Sequence, residues 1–348
     1  MDGSQTTLAV KALEPGDEGR WDAFVKTCAA GTFFHLSGWK RVIERAFGHR
    51  THYVLCERGG VVTGVLPLTH VRSILFGSSL ISNAFGVHGG PLATDDESLR
   101  RLESEALRLM QAHAVPVLEF RGQSATRADW PSRSDLYVAF RRPIDPDIDR
   151  NLKLIPRKQR AMIRKGQANQ LRSEIDLDID RLYRVYSESV RNLGTPVFST
   201  SYFRILREEF ADCSDILTVT SSGRAVAAVL NFYFRDEVLP YYGGGVSAAR
   251  ALAANDFMYW EVMRRACERG FRVFDFGRSK VGTGSYAFKH YWGFDAIPLT
   301  YQYQLAPGRQ MPDLNPLNPK LRIFVEAWKR LPLPLAERLG PPIVRGIG

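Results

Sequence analysis

No two cysteines of this sequence are spaced for a zinc cluster. Cys28, Cys56, Cys213 and Cys267 stand far apart with no CxxC pair, and the same spread gives no disulfide framework. Histidine does not fill that gap: His35, His88 and His290 are isolated, without an HxxxH or His/Asp cluster, so no metal is expected. The GxSxG nucleophile elbow is missing, and neither an RRM nor a KH pattern is present for sequence-specific RNA recognition. No apolar run is long enough to span a bilayer and no signal peptide is visible, so the expected location is cytoplasmic. Acidic residues are also short, 37 Asp and Glu against 47 Lys and Arg, and the formal charge of +10 favours phosphate-bearing or membrane-surface partners.

The 348 residues, 45% of them hydrophobic, are enough for two domains that each bury a core. The same order of elements reads twice along the chain. In the first half, a helix around Trp21 to Cys28 precedes FFHLSGWKRVIERAFG, a turn and then a helix capped by Ser37 with Trp39, Val42, Ile43, Ala46 and Phe47 on one face. HYVLCERGGVVTGVLPLTHV is a hairpin about Gly59 and Gly60. A loop from Phe76 to Pro91, a helix from Asp95 to Gln111 and the strand VPVLEFRG follow. In the second half, DILTVTSSGRAVAAVLNFYF turns at Gly223 where the first hairpin turns at Gly59. LPYYGGGV, the helix NDFMYWEVMRRACERG and the strand FRVFDFGRS complete the match.

This repeat predicts an α+β fold with mixed sheets, in two similar domains arising by internal duplication. The boundaries are 1–145 and 146–306, followed by a Pro-rich tail, 307–348, with the short amphipathic helix LRIFVEAWKRL. Between Arg141 and Arg172 ten basic residues meet three acids, and the helix IPRKQRAMIRKGQANQL sets a sparse apolar stripe beside a basic face. Arg157, Arg160 and Arg164 on that face either hold phosphates or are simply solvated.

One stretch concentrates unusual residues: FDFGRSKVGTGSYAFKHYWGF, Phe274 to Phe294. A strand runs into a loop with Gly277, Gly282 and Gly284, then into a helix capped by Ser285 and ended by Gly293. Lys289 is a single cation within that aromatic helix. Asp275 alternates with Phe274 and Phe276 and faces away from them in a regular strand.

The stretch resembles the signature of the FemAB-like transferases, most closely the subgroup associated with the PEP-CTERM/exosortase system of exopolysaccharide-producing bacteria. FFHLSGWKRVIERAFGH with HYVLCERGGVVTGVLPL is similar to that family's first-domain opening, and IPRKQRAMIRKGQANQL to the basic helix before its second domain. The resemblance runs from about Phe33 to Leu305. It implies two tandem GNAT-like acyltransferase domains and acyl or aminoacyl transfer. Lys289 lies four residues before Gly293, where GNAT enzymes often keep a tyrosine. The sequence departs from GNAT enzymes in having no QxxGxG/A loop after Tyr241, since VSAARALAAN stands there. The donor is therefore open between aminoacyl-tRNA and acyl-CoA, with no tightly bound cofactor.

Acyl transfer passes through a tetrahedral oxyanion, for which Lys289 would supply the positive charge. The glycine loop from Gly282 to Ser285, Gly284 included, would add N–H donors at the helix start, Arg278 and Lys280 would hold a phosphate, and Ser279 and Tyr286 would be further substrate contacts. Asp275 is either a general base or a carboxylate paired with Arg278 or capping a loop. Tyr241 and Tyr242 would stack on a sugar or base, or one of the two packs, since they face opposite sides of a strand; Trp39 would be a further substrate contact. Arg157, Arg160 and Arg164 would hold phosphates of a nucleotide- or lipid-linked glycan acceptor or the backbone of a charged tRNA. The tail helix either docks on the body or touches the inner face of the membrane. An acyl-CoA-dependent N- or O-acetyltransferase, and a noncatalytic glycan- or nucleic-acid-binding scaffold, are the competing functions.

Overall fold

A computed structural model describes residues 7–74, 76–122, 124–312 and 319–348, the side chains of 319–322 excepted. The chain forms two compact units: Met1–Ser134 with Leu299–Asp313 and Arg345–Gly348, and Asp135–Pro298 with Leu314–Val344.

The first unit is built on β1 (Leu8–Ala12), β2 (Arg50–Arg58), β3 (Val61–Ser73), β4 (Gly77–Ser82), β5 (Leu92–Ala93), β6 (Val117–Gly122) and β7 (Ser132–Arg133). The second holds β8 (Tyr137–Pro143), β9 (Arg172–Asp176), β10 (Ser214–Ser221), β11 (Arg224–Phe234), β12 (Glu237–Gly245), β13 (Val273–Lys280) and β14 (Ala296–Pro298). β15 (Thr300–Leu305) belongs to the first. The sheet orders are β1-β2-β3-β4-β6-β15-β7, with β5 beside β3, and β9-β10-β11-β12-β13-β8-β14. The two are the same pattern, which accords with the duplication read from the sequence.

Each sheet has one parallel pair, β4 with β6 and β12 with β13, and a helix makes each crossover as parallel pairing requires. Asp95 caps the first, Asp96–Ala112, by accepting from the Ser98 N–H. The helix buries Leu102, Ala106, Leu109 and Met110 with Val54, Leu66, Leu80 and Leu118 of the sheet. The second, Ala254–Glu268, packs Met258, Val262 and Met263 into a core with Phe274, Phe276, Trp292 and Phe294. Fully burying such a side chain stabilises by about 1.5–3 kcal/mol. The Trp292 indole N–H is satisfied by the Asp256 carboxylate at 3.0 Å.

The differences from the sequence reading arise where pairing is non-local. β8 follows the first unit's strands in the chain yet pairs with β13 and β14, while β15 follows the second unit's strands and pairs with β6 and β7. The units therefore do not divide at 145 and 306. The stretch read as a loop from Phe76 contains β4, and 173–213 adds most of β9 and the helices Asp180–Asn192 and Thr200–Glu209. The tail holds a second helix, Leu333–Arg345, alongside Pro319–Lys329, although Pro341 and Pro342 lie within it. Part of the proline-rich linker, 313–318, falls outside the described residues.

Candidate active site

The second unit's parallel pair holds together only at its start, through Glu237↔Val273 and Val238↔Phe274. Both strands then bulge. On β12, Leu230 faces Tyr242 and Asn231 faces Pro240, so Tyr241 is the extra residue. On β13, Asp275 faces Arg141 and Arg278 faces Ala139, so Phe276 and Gly277 together oppose Phe140. Bulges sharpen local twist and re-aim side chains, and here they flank the point where the two strands part. Gly277 takes φ +69°, a conformation that side chains rarely adopt.

Around Gly277 two ionisable groups are buried. The Asp275 carboxylate accepts the Gly277 N–H at 2.7 Å. Burial pushes it up to about 6, opposed by that hydrogen bond. Lys289, on the helix Gly284–Tyr291, donates to the carbonyls of Gly277 at 3.2 Å and Arg278 at 3.1 Å. Burial pushes it down to about 7, opposed by the Asp275 charge. A lysine and an aspartate thus both titrate near neutrality about one bulge, an arrangement typical of sites that handle protons or developing charge.

The sequence-selected residues divide as follows. Arg278 and Lys280 lie over the Tyr137 ring, at 4.5 and 5.5 Å, and Ser279 between them is buried with its hydroxyl unpaired. The helix cap is Thr283, which accepts from the Tyr286 N–H, and not Ser285, whose hydroxyl lies 3.1 Å from that of Thr283. Gly284 opens the helix, and Tyr286 packs edge-on to Phe140. Tyr241 faces Gly277, where a Cβ would lie 3.7 Å from its ring. Tyr242 is a packing residue: its hydroxyl meets that of Tyr202 at 2.7 Å, and its ring sits among Tyr186, Phe198 and Phe203. Trp39 is also not a ligand contact. It is wholly buried in the first unit, its indole N–H bonded to the Phe33 carbonyl.

Arg157, Arg160 and Arg164 do come together. With Asp149, Leu152, Lys153 and Ala161 they line an open groove of about 730 Å³, none of whose lining residues is among those around Lys289. Sequence reasoning missed Tyr137 and Phe140, because nothing local says that β8 lies beside β13. It also missed Asn255, whose side-chain oxygen is buried and unpaired beside Gly245. Ser189 was missed too, though it lies so close to Gly244 that a Cβ there would be 2.1 Å from its hydroxyl.

In the first unit the described residues bridge the corresponding place. β4 and β6 pair at Leu80↔Leu118 and Ile81↔Glu119, and beyond them the Ser82 hydroxyl accepts the Arg121 N–H while Gly89 and Gly90 donate to the Arg121 carbonyl. Glu119 occupies the place of Asp275, and Arg121 that of Gly277. The two form a buried ion pair at 2.6 Å, and the guanidinium also donates to the Gly86 carbonyl.

Two tandem sheets of this order, the second splayed about a bulge, define a GNAT-like fold. Residues 155–290 match the family model described as an acetyltransferase (GNAT) domain, so the second unit carries a domain of that type. No curated protein matches the sequence. Among solved structures, FemX is similar at 15% identity and a TM-score of 0.65, over 84% of this chain and 96% of that one. A tandem GNAT protein from the clavulanic acid biosynthesis pathway is 14% identical at a TM-score of 0.55, over 87% and 100%. L-PGS from Bacillus licheniformis is 13% identical at 0.52, over 92% and 99%. At these identities the likeness is one of fold. Among the described residues no group of three or more His, Cys, Asp or Glu is placed to hold a metal ion.

Proposed function

We propose that the protein transfers an acyl or aminoacyl group to an amine or hydroxyl of an anionic cell-envelope or exopolysaccharide precursor, with the chemistry in the second unit. The observation that carries this reading is the buried Lys289 beside Asp275 at the splayed bulge. The acceptor attacks the donor's ester or thioester carbonyl, and its proton passes to the Asp275 carboxylate. Lys289, protonated and held by two backbone carbonyls, directs its remaining N–H to the oxyanion. Collapse breaks the C–O or C–S bond, and the proton from Asp275 goes to the leaving group. Protonation of Lys289 is unchanged over the cycle, and no tightly held cofactor is needed.

The groove of Arg157, Arg160 and Arg164 supports a phosphate-bearing donor or acceptor, either a charged tRNA or a nucleotide- or lipid-linked glycan. The resemblance to the PEP-CTERM/exosortase-associated FemAB subgroup favours an exopolysaccharide precursor met at the cytoplasmic face of the membrane. A second reading, transfer from an acyl-CoA, is favoured by the acetyltransferase family match.

The test offers donors one at a time with precursor extracts and detects transfer by intact mass. The donor used should also raise the melting temperature, since ligand at a hundred times its Kd stabilises by about 2.7 kcal/mol. Aminoacyl-tRNA or acyl-CoA, but not both, is expected to do so. Binding of glycan or RNA with transfer from neither donor would overturn the enzyme reading in favour of a scaffold.

A further inference from the structure

The two tail helices are apolar on opposite sides. Inward, Val325 lies so close to Gly194 that a Cβ there would be 2.5 Å away, Trp328 is buried, and Arg191 donates to the Lys329 carbonyl. On the second helix Ala336 is buried and Gly340 fits against the Val197 backbone. These contacts dock the tail on the second unit. Outward, the same helices expose Ile323 at 76% and Leu335 and Leu339 at 46% each, with Leu193, next to Gly194, at 61%; Phe324, whose ring lies 5.4 Å from that of Trp328, is at the edge of this face at 40%. A docked helix needs one apolar stripe, and here a second is presented to solvent.

Charge points to what covers it. Residues 319–345 hold six basic and two acidic side chains, a net +4 out of the chain's +10. Glu326 is paired with Lys329, while Arg330 and Arg338 are exposed and have no ion-pair partner among the described residues. A second copy of the chain would bring like charges together on this face. A sheet of lipid phosphates complements it.

We propose that the outward face of these helices seats the protein on an anionic bilayer surface. Ile323, Phe324, Leu335 and Leu339 enter the headgroup boundary, and Arg330 and Arg338 meet lipid phosphates. This seat is separate from Lys289, so its test needs no transferase activity.

Full-length protein is floated with vesicles of pure phosphatidylcholine and with vesicles in which about a third is phosphatidylglycerol. The anionic vesicles are expected to carry at least about tenfold more protein. The triple variant Ile323→Ser/Leu335→Ser/Leu339→Ser should lower that binding about tenfold while the protein remains folded, since Ile323 is mostly exposed and Leu335 and Leu339 are half exposed. Arg330→Glu/Arg338→Glu should abolish the preference for anionic lipid. Absence of flotation, or flotation of the triple variant equal to wild type, overturns the proposal. So does a dimer, seen by sedimentation, that the triple variant dissociates.

Discussion

Replacing Lys289 with methionine is expected to make the protein more stable and to all but stop transfer. The ammonium is buried and held near 7 instead of its ordinary 10.5, which costs the fold about 5 kcal/mol while it is charged. Methionine removes that cost but leaves the carbonyls of Gly277 and Arg278 without their donor, a loss of about 1 kcal/mol each. The net gain is about 3 kcal/mol below about pH 7. Because folding lowers this pKa, the unfolded chain binds the additional proton between about 7 and 10.5. The variant's advantage is therefore complete below pH 7, falls to nothing near about pH 9, and reverses above it, where the neutral wild-type amine keeps both hydrogen bonds. Loss of the oxyanion's positive partner should lower the transfer rate about 10²- to 10³-fold. Denaturant unfolding and single-turnover transfer on the same preparation check both halves. A lysine with a packing role alone would leave the rate unchanged.

Arg121→Ala should do the reverse, costing stability without touching the chemistry. It strands the buried Glu119 carboxylate and removes the donor to Gly86, and an unpaired buried charge costs about 3–5 kcal/mol. The denaturation midpoint should fall accordingly, while transfer per folded molecule stays at the wild-type level. The double variant Glu119→Leu/Arg121→Met, apolar at both positions, should recover most of the loss. The contrast follows from one exchange within the repeat. Where the second unit has a glycine that opens the bulge, the first has an arginine that pairs with the acid two residues before it.

That exchange was visible in the sequence as VLEFRG against VFDFGR, but its meaning was not, because burial and pairing are tertiary facts. The hairpins at Gly59 and Gly223 and the crossover helices were legible, since turn residues and helical spacing are local signals. Lys289 stood out for the same reason, as a cation in an aromatic helix. The placement of β8 and β15 was not legible, because a strand's own residues do not say which sheet completes it. Thr283 and Ser285 are both good caps two residues apart, and only the folded loop selects the first. Trp39 and Tyr242 looked like ligand platforms because aromatic residues serve binding and packing alike. The second tail helix was hidden by Pro341 and Pro342.

The most direct test of the account is the pH dependence of single-turnover transfer by the wild-type protein. The rate should rise through about pH 6 as Asp275 ionises and fall through about pH 7 as Lys289 loses its proton. The two limbs belong to the coupled pair. Asp275→Asn should remove the acid limb. A rate that stays level through both limbs would contradict the assignment of the chemistry to Asp275 and Lys289.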